Sequence, residues 1–203
     1  YGIDADFRKG YAYLAYNSRQ DKTLRQWEMD FQTLDPDSEI RIVIGSGIKD
    51  VVGSDVYSSA LLHMGCGHVH LLNLLLGEAT ALTTYGAQIF EDSPVLGVEY
   101  GDRVAVRTPT GTVRASKMLW ACNALLDGLE PELDRKTINT FAFQLCTEPL
   151  SDELIGRISP IRGAYSDIRP VTDYYRVTNE NRLLFGSATA LVDYIPKDLK
   201  AWN

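Results

Sequence analysis

The sequence predicts an α+β fold: a mixed helix-and-strand segment in the middle of the chain, joined to a mainly antiparallel sheet with helices. Three observations predict it. Leu71, Leu72, Leu74, Leu75, Ala79 and Leu82 make a broad apolar stripe at helical spacing. Val104 and Val106 alternate with polar neighbours, Pro109-Thr110-Gly111 turns the chain, and Val113 and Ala115 alternate on the return, which is a β-hairpin. After Asn123, long strand-like runs flank one short helix.

Taken in order, residues 11–16 are aromatic-rich and bounded by Gly10 and Asn17-Ser18, the composition of a strand. Ser18 followed by Asp21 has the form of a capping box, and Leu24, Trp27, Phe31 and Leu34 continue it as an amphipathic helix that Asp35-Pro36 stops. Residues 39–44 read as a short extended segment turning through Gly45-Ser46-Gly47 into a short helix over 48–52. The leucine stripe predicts a helix over 71–85 closed by Gly86 as a left-handed cap, and its width predicts burial against a sheet. Residues 87–90 and 94–100 read as strands ahead of the hairpin. The continuous apolar run 118–122 predicts a strand buried on both faces. Residues 137–147, 173–177 and 182–186 are expected strands of a second structural unit, with a short helix from Ser151 to Gly156 between them, Ser151 as its N-cap and Glu153 near its positive end.

A chain of 203 residues with 45% apolar content can bury a sizeable core as one large or two small domains. Its 20 Lys+Arg against 27 Asp+Glu give a net charge of -7. No basic field, global or local, draws a polyphosphate backbone, so nucleic acid is not an expected partner. The longest strongly apolar stretch, 71–76, is interrupted by Asn73 and falls far short of the roughly 18 residues of a membrane span. Cys66, Cys122 and Cys146 are odd in number and widely spaced. They read as reduced thiols of a cytoplasmic protein without a secretory signal. His63, His68 and His70 with Cys66 match no standard ligand spacing, so no metal is expected.

Two glycine pairs invite a phosphate-loop reading. A dinucleotide fingerprint needs three glycines: for the tight turn, for close approach to the pyrophosphate, and for packing of helix on strand. After Gly45-Ser46-Gly47, Asp50 stands where the third belongs, and its carboxylate would repel a phosphate at a helix N-terminus. Gly65-Cys66-Gly67 lacks the third glycine as well. The chain therefore reads as lacking a complete phosphate loop.

The order and spacing of several motifs carry a resemblance. They are Gly67-His68-Val69-His70 with the following leucines, Tyr85-Gly86-Ala87-Gln88 through Pro94-Val95, Gly111-Thr112-Val113 through Lys117, and Leu119-Trp120-Ala121-Cys122-Asn123. Gln144, Thr147-Glu148-Pro149-Leu150, Tyr174-Tyr175-Arg176 and Arg182 through Gly186 extend it over nearly the whole chain. The sequence resembles FAD-dependent oxidoreductases of the D-amino-acid oxidase type, and among them the bacterial gamma-glutamylputrescine oxidases. The resemblance implies a two-domain enzyme, with residues 1–66 a substrate-domain segment, 67–124 the central FAD-domain segment and 125–203 the main substrate-domain sheet. It also implies a fragment of a longer enzyme, whose glycine fingerprint and C-terminal flavin-binding segment lie outside these residues, so that this chain alone does not retain FAD and is inactive. Leu71 replaces the family's usual proline, Ser59 or Ala60 a common glycine, and Ala190 a frequent proline.

In such an enzyme the flavin carries the redox step while the protein orients an amine or amino acid for hydride transfer. No nucleophile or acid–base pair is expected, and no catalytic residue is assigned. The resemblance assigns Val95, by its backbone, and Ala121, Cys122 and Asn123, as a strand end, to the adenosine and pyrophosphate side of FAD. It assigns Tyr174, Tyr175 and Arg182 to the substrate, with Gly186 allowing close approach of the strand to a ring or ligand. Adjacent tyrosines on a strand face opposite ways, so one of the two points into the pocket. Arg182 is able to pair a substrate carboxylate bidentately. The alternative from another class is a non-catalytic small-molecule binding or interaction module.

Overall fold

The computed structural model describes residues 1–191. The chain divides into two compact units. One comprises Tyr1–Ala81 with Ala142–Thr189, and the other is built on Leu82–Phe141.

The first unit holds a seven-stranded sheet. Its strands in chain order are β1 (Arg8–Ala15), β2 (Ile40–Ile44), β3 (Ser59–His68), β7 (Thr140–Cys146), β8 (Ala164–Asp167), β9 (Tyr174–Val177) and β10 (Leu183–Leu191), and the spatial order is β2-β3-β1-β8-β9-β10-β7. β1 pairs antiparallel with β3 and parallel with β8, while β8 with β9 and β9 with β10 are antiparallel. The parallel join of β1 to β8 unites the N-terminal strands with the C-terminal ones. The later strands, expected as a structural unit of their own, continue a sheet begun by β1 to β3.

Strand alternation sorts the side chains onto two faces. On one, Ala12, Leu14, Ala60, Leu62 and Tyr165 form a core with Ile48, Val51 and Val52. On the other, Ala15, Ile40 and Leu61 pack under Leu24, Trp27 and Phe31 of α1 (Ser18–Leu34). Fully burying a side chain such as Leu24 contributes about 1.5–3 kcal/mol. The glycines at 45 and 47 lie in a 3-10 turn, Gly45–Asp50. Their turn delivers Ile48 to the core, and Val51 and Val52 follow it there.

Helix α1 begins one residue earlier than its expected box. Asn17, with extended backbone, is the N-cap. Its Oδ1 accepts from Arg19 N and Gln20 N, and Gln20 Oε1 accepts from Tyr16 N. Asp21, freed from capping, accepts from the hydroxyls of Ser58 and Ser59 and so ties α1 to β3. Ser151 caps α4 (Asp152–Ile158) as expected, its Oγ accepting from Leu154 N.

The helix predicted over 71–85 is α2 (Leu71–Thr84), followed by Gly86 at φ +82. Its expected burial is not found. Leu71 is 72% exposed and Leu72, Leu75 and Leu76 are all more than half exposed, with Ile3 lying against Gly77.

In the second unit, β4 (Gly97–Glu99), β5 (Val104–Arg107) and β6 (Thr112–Ala115) form an antiparallel sheet in that order. The predicted hairpin is β5–β6, with Val104 opposite Ala115 and Val106 opposite Val113. Residues 87–90 and 118–122 are not strands. Ile89, Phe90 and Leu119 are exposed, the last at 86%. A doubly buried strand needs ladders on its flanks. This three-stranded sheet ends at β4 and β6, so the apolar run has none to join. Pro131–Asp134 forms a single helical turn, α3. Among the described residues, no helix is long and apolar enough to cross a membrane.

Candidate functional site

Register places the first unit's candidate site. β9 sits between β8 and β10, with Tyr174 opposite Ser166 and Gly186, and Tyr175 opposite Tyr165 and Phe185. Alternation therefore sends the two tyrosines to opposite faces. The Tyr175 ring stacks on Tyr165 at 4.6 Å between centroids, with Phe185 beyond it at 6.2 Å. Burial raises its hydroxyl pKa above the ordinary value, followed in effect by the neighbouring tyrosines. Tyr165 is anchored from below, its hydroxyl donating to Val51 O at 2.9 Å, and burial pushes its pKa up to about 12.

Tyr174 lies on the opposite face, where its ring crosses Gly186. A β-carbon at 186 would stand 2.2 Å from the Tyr174 ring, so glycine is what allows the ring to lie flat on β10. The Tyr174 hydroxyl accepts from Gln144 Nε2 at 3.3 Å. Arg176, two residues on and therefore on the same face, joins Tyr174, Gln144, Tyr11 and Leu184 around a concavity of about 170 Å³ that Leu71 closes at one side. Tyr11 donates to Ser166 Oγ at 2.9 Å, which fixes that wall.

The guanidinium of Arg176 is the charge of the site. Among the described residues no carboxylate stands within ion-pair distance of it. Burial lowers its pKa, Asp6 opposing, but a guanidinium stays protonated. Its neighbour is His68: Arg176 Nη1 lies 3.3 Å from Nδ1, and His68 Nε2 lies 3.3 Å from the carbonyl oxygen of Arg162. A concavity with one unpaired cation, neutral phenols and an amide can bind and orient an anionic group. Its lining offers no carboxylate or imidazole to act as a general base.

Of the residues expected at the substrate, Tyr174 lies over Gly186 and Tyr175 on the opposite face, and both tyrosines border the hollow. Arg182 lies at the start of β10, where Nη1 donates to Thr147 O at 3.0 Å and Nε lies 3.6 Å from Glu180. Arg176 and Gln144 were named among the motif residues and Tyr11 in a predicted strand, but none of the three was assigned to the site. Strand period held a usable signal for Arg176, since i and i+2 share a face. Parity says nothing about Arg182, which follows a turn.

The cofactor-side candidates lie in the second unit. Val95 precedes β4, and Leu96 N donates to Arg107 O. Ala121, Cys122 and Asn123 do not end a strand: Asn123 opens a 3-10 turn at φ 48, and Cys122 O accepts from Leu125 N. Among the described residues no three metal-ligating side chains converge. His63 and His70 are occupied locally, each Nδ1 accepting a nearby backbone amide.

This sheet with its helices has known counterparts. The chain matches the DAO family, FAD dependent oxidoreductases, over residues 1–200 and belongs to that family. It is 33% identical over 201 residues to gamma-glutamylputrescine oxidoreductase of Escherichia coli (strain K12), covering 98% of this chain and 47% of the relative. It is 35% identical over 192 residues to the probable oxidoreductase OrdL of Haemophilus influenzae, covering 92% of this chain and 44% of the relative. The chain thus spans about half the length of the curated relatives it matches. In fold it resembles glycine oxidase from Geobacillus kaustophilus, with TM-score 0.75, 16% identity, and coverage of 96% of this chain and 51% of that one. L-proline dehydrogenase from P. horikoshii gives TM-score 0.75 at 16% identity, covering 97% and 54%.

FAD is the cofactor of this family. Its diphosphate asks for free amides at a glycine-rich turn opening a helix. Gly45-Ser46-Gly47 is committed to a short 3-10 turn that feeds the core. Gly65 and Gly67 lie inside β3, where a β-carbon at 67 would stand 2.0 Å from Arg8 O. Neither pair fits a diphosphate.

Proposed function

We propose that this chain supplies the substrate-recognising part of an FAD-dependent oxidoreductase acting on an amine or amino acid that carries a carboxylate. The observation that carries this reading is Arg176, an unpaired and partly buried guanidinium facing a small hollow. The relative's name suggests gamma-glutamylputrescine, whose glutamyl end bears a carboxylate and whose other end is a primary amine. In this reading Arg176 takes the carboxylate, Tyr174 and Gln144 offer hydrogen bonds beside it, and the rigid stack of Tyr175 on Tyr165 holds β9 in place. The hollow is smaller than a typical pocket of about 300–1,000 Å³, which suits one end of such a substrate.

Residues 1–66 and 125–203 then serve the substrate side, and 67–124 serves the FAD side through backbone groups of Val95, Ala121, Cys122 and Asn123. The family's flavin takes up the electrons of the amine. Because neither glycine pair fits the diphosphate, this chain by itself binds FAD weakly or not at all and is inactive. The free thiols of Cys66, Cys122 and Cys146 suit a reducing, cytoplasmic setting.

The test has two arms. Titrating FAD into the 203-residue chain is expected to leave flavin fluorescence unsaturated, and saturation in the low micromolar range would overturn the cofactor reading. In the larger, flavin-loaded enzyme of which this chain is proposed to be part, Arg176→Met is expected to raise KM for gamma-glutamylputrescine by about 10- to 100-fold, the worth of a charge-assisted hydrogen bond. An unchanged KM would show that Arg176 does not hold the substrate.

A further inference from the structure

We propose that His68 is the positioning residue of this site: its neutral Nε2–H form, pinned by the carbonyl of Arg162, presents Nδ1 as the acceptor that holds Arg176 toward the hollow. The inference rests on the reading of Arg176 as the carboxylate anchor. The geometry fixes the tautomer. A guanidinium only donates, so the 3.3 Å contact of Arg176 Nη1 with His68 Nδ1 requires that nitrogen to carry a lone pair. A carbonyl only accepts, so the 3.3 Å contact of Nε2 with Arg162 O requires the proton there. One tautomer satisfies both partners.

The support behind His68 is continuous. Arg162 has a left-handed backbone at φ 49, and its Nη2 donates to Asn181 Oδ1 at 2.6 Å. Asn181 in turn donates to Asp152 Oδ1 at 2.8 Å, in the first turn of α4. A line of hydrogen bonds thus runs from α4 through Asn181, Arg162 and His68 to Arg176, in which the outer partner fixes the ring and the ring fixes the group that binds.

The same arrangement couples the anchor to protons. The charged groups around the imidazole are Arg176 and Arg8, with Asp6 opposing them. Burial lowers the His68 pKa first, the Arg162 carbonyl opposes, and the two arginines lower it further. A proton on Nδ1 removes the acceptor and sets a second cation against Arg176. Acidification therefore releases the guanidinium from its hold.

The experiment compares substitutions at both positions in the flavin-loaded enzyme, with gamma-glutamylputrescine and with putrescine, which has the amine but not the carboxylate. His68→Leu is expected to raise KM for gamma-glutamylputrescine about tenfold, the loss of one hydrogen bond to a charged group. KM for putrescine should stay within about twofold of its starting value, as should kcat for both amines. His68→Asn, which places an oxygen near the Nδ1 position, is expected to restore most of the loss. Histidine-selective ¹⁵N NMR of the unsubstituted protein reads the tautomer directly and needs no variant to fold: Nε2 protonated, Nδ1 bare, titrating below ordinary histidine. A protonated Nδ1 at neutral pH, or a His68→Leu enzyme with unchanged KM for gamma-glutamylputrescine, overturns the proposal. If Arg176→Met raises KM and His68→Leu does not, His68 alone loses its role; if neither does, the substrate-site reading fails with it.

Discussion

Asp167 ends β8 with its side chain fully buried, and one arginine answers it. Arg169 donates from its backbone amide to Oδ1 at 3.0 Å and from Nε to Oδ2 at 2.8 Å, also pairs with Asp173, and lies 4.8 Å over the Tyr16 ring. The turn from β8 to β9, and hence the placement of Tyr174, is held by this cluster. Arg169→Leu would leave a buried carboxylate without its counter-ion. A buried pair broken on one side costs about 3–5 kcal/mol, and the 40% exposure of Arg169 argues for the low end, near 3 kcal/mol. Urea unfolding of the two proteins checks it, and a loss under about 1 kcal/mol would mean that water replaces the arginine. His68 adds a pH dependence of the same sign as a paired carboxylate's, in a higher pH range. Its folded pKa lies below the ordinary 6.5, chiefly through burial. The unfolded chain therefore takes the proton first, and this contribution to stability, full above 6.5, is lost as pH falls from there through the folded value.

At the scale of elements, the helices were the most legible part of the sequence, because a 3.6-residue stripe and its caps are local signals. α1 shows the limit of that legibility. The stripe of Leu24, Trp27 and Phe31 fixed its face, yet Asn17 outcompeted Ser18 for the cap because it sits in extended backbone with its oxygen over two free amides. Asn17→Ala is expected to cost about 1 kcal/mol, seen as a lowered urea midpoint, whereas Ser18→Ala should be near neutral. The reverse order would return the cap to Ser18. β3 was missed for a physical reason. Its glycines invited a phosphate-loop reading, but Gly67 is there because Arg8 of the neighbouring strand comes too close for any side chain, a long-range fact that no local pattern carries. β8 is only four residues long and wholly buried, too short to show a period. The run 118–122 failed the other way, since apolarity marks what needs cover without saying that a ladder is present.

For the whole molecule, the resemblance read from scattered motifs agrees with the family to which the chain belongs, while the arrangement of the site depended on strand pairing. Tyr174 and Gly186 were named separately, and only the register of β9 against β10 shows that one exists to accommodate the other. Arg176 came into view once its face was known. The exposed leucines of α2 have a different consequence, for how the chain behaves in a tube. Leu72, Leu75 and Leu76 follow the i, i+3, i+4 spacing and are each more than half exposed, so they form a contiguous oily ridge. Two such ridges meeting in solution would bury each other, and the net charge of -7 opposes that encounter least when salt is high. Sedimentation of the 203-residue chain should show association that grows with protein and salt concentration and is abolished by Leu72→Glu with Leu75→Glu. A monomer at every concentration tested would mean that charge outweighs the ridge; otherwise one helix face decides whether the chain stays single in solution.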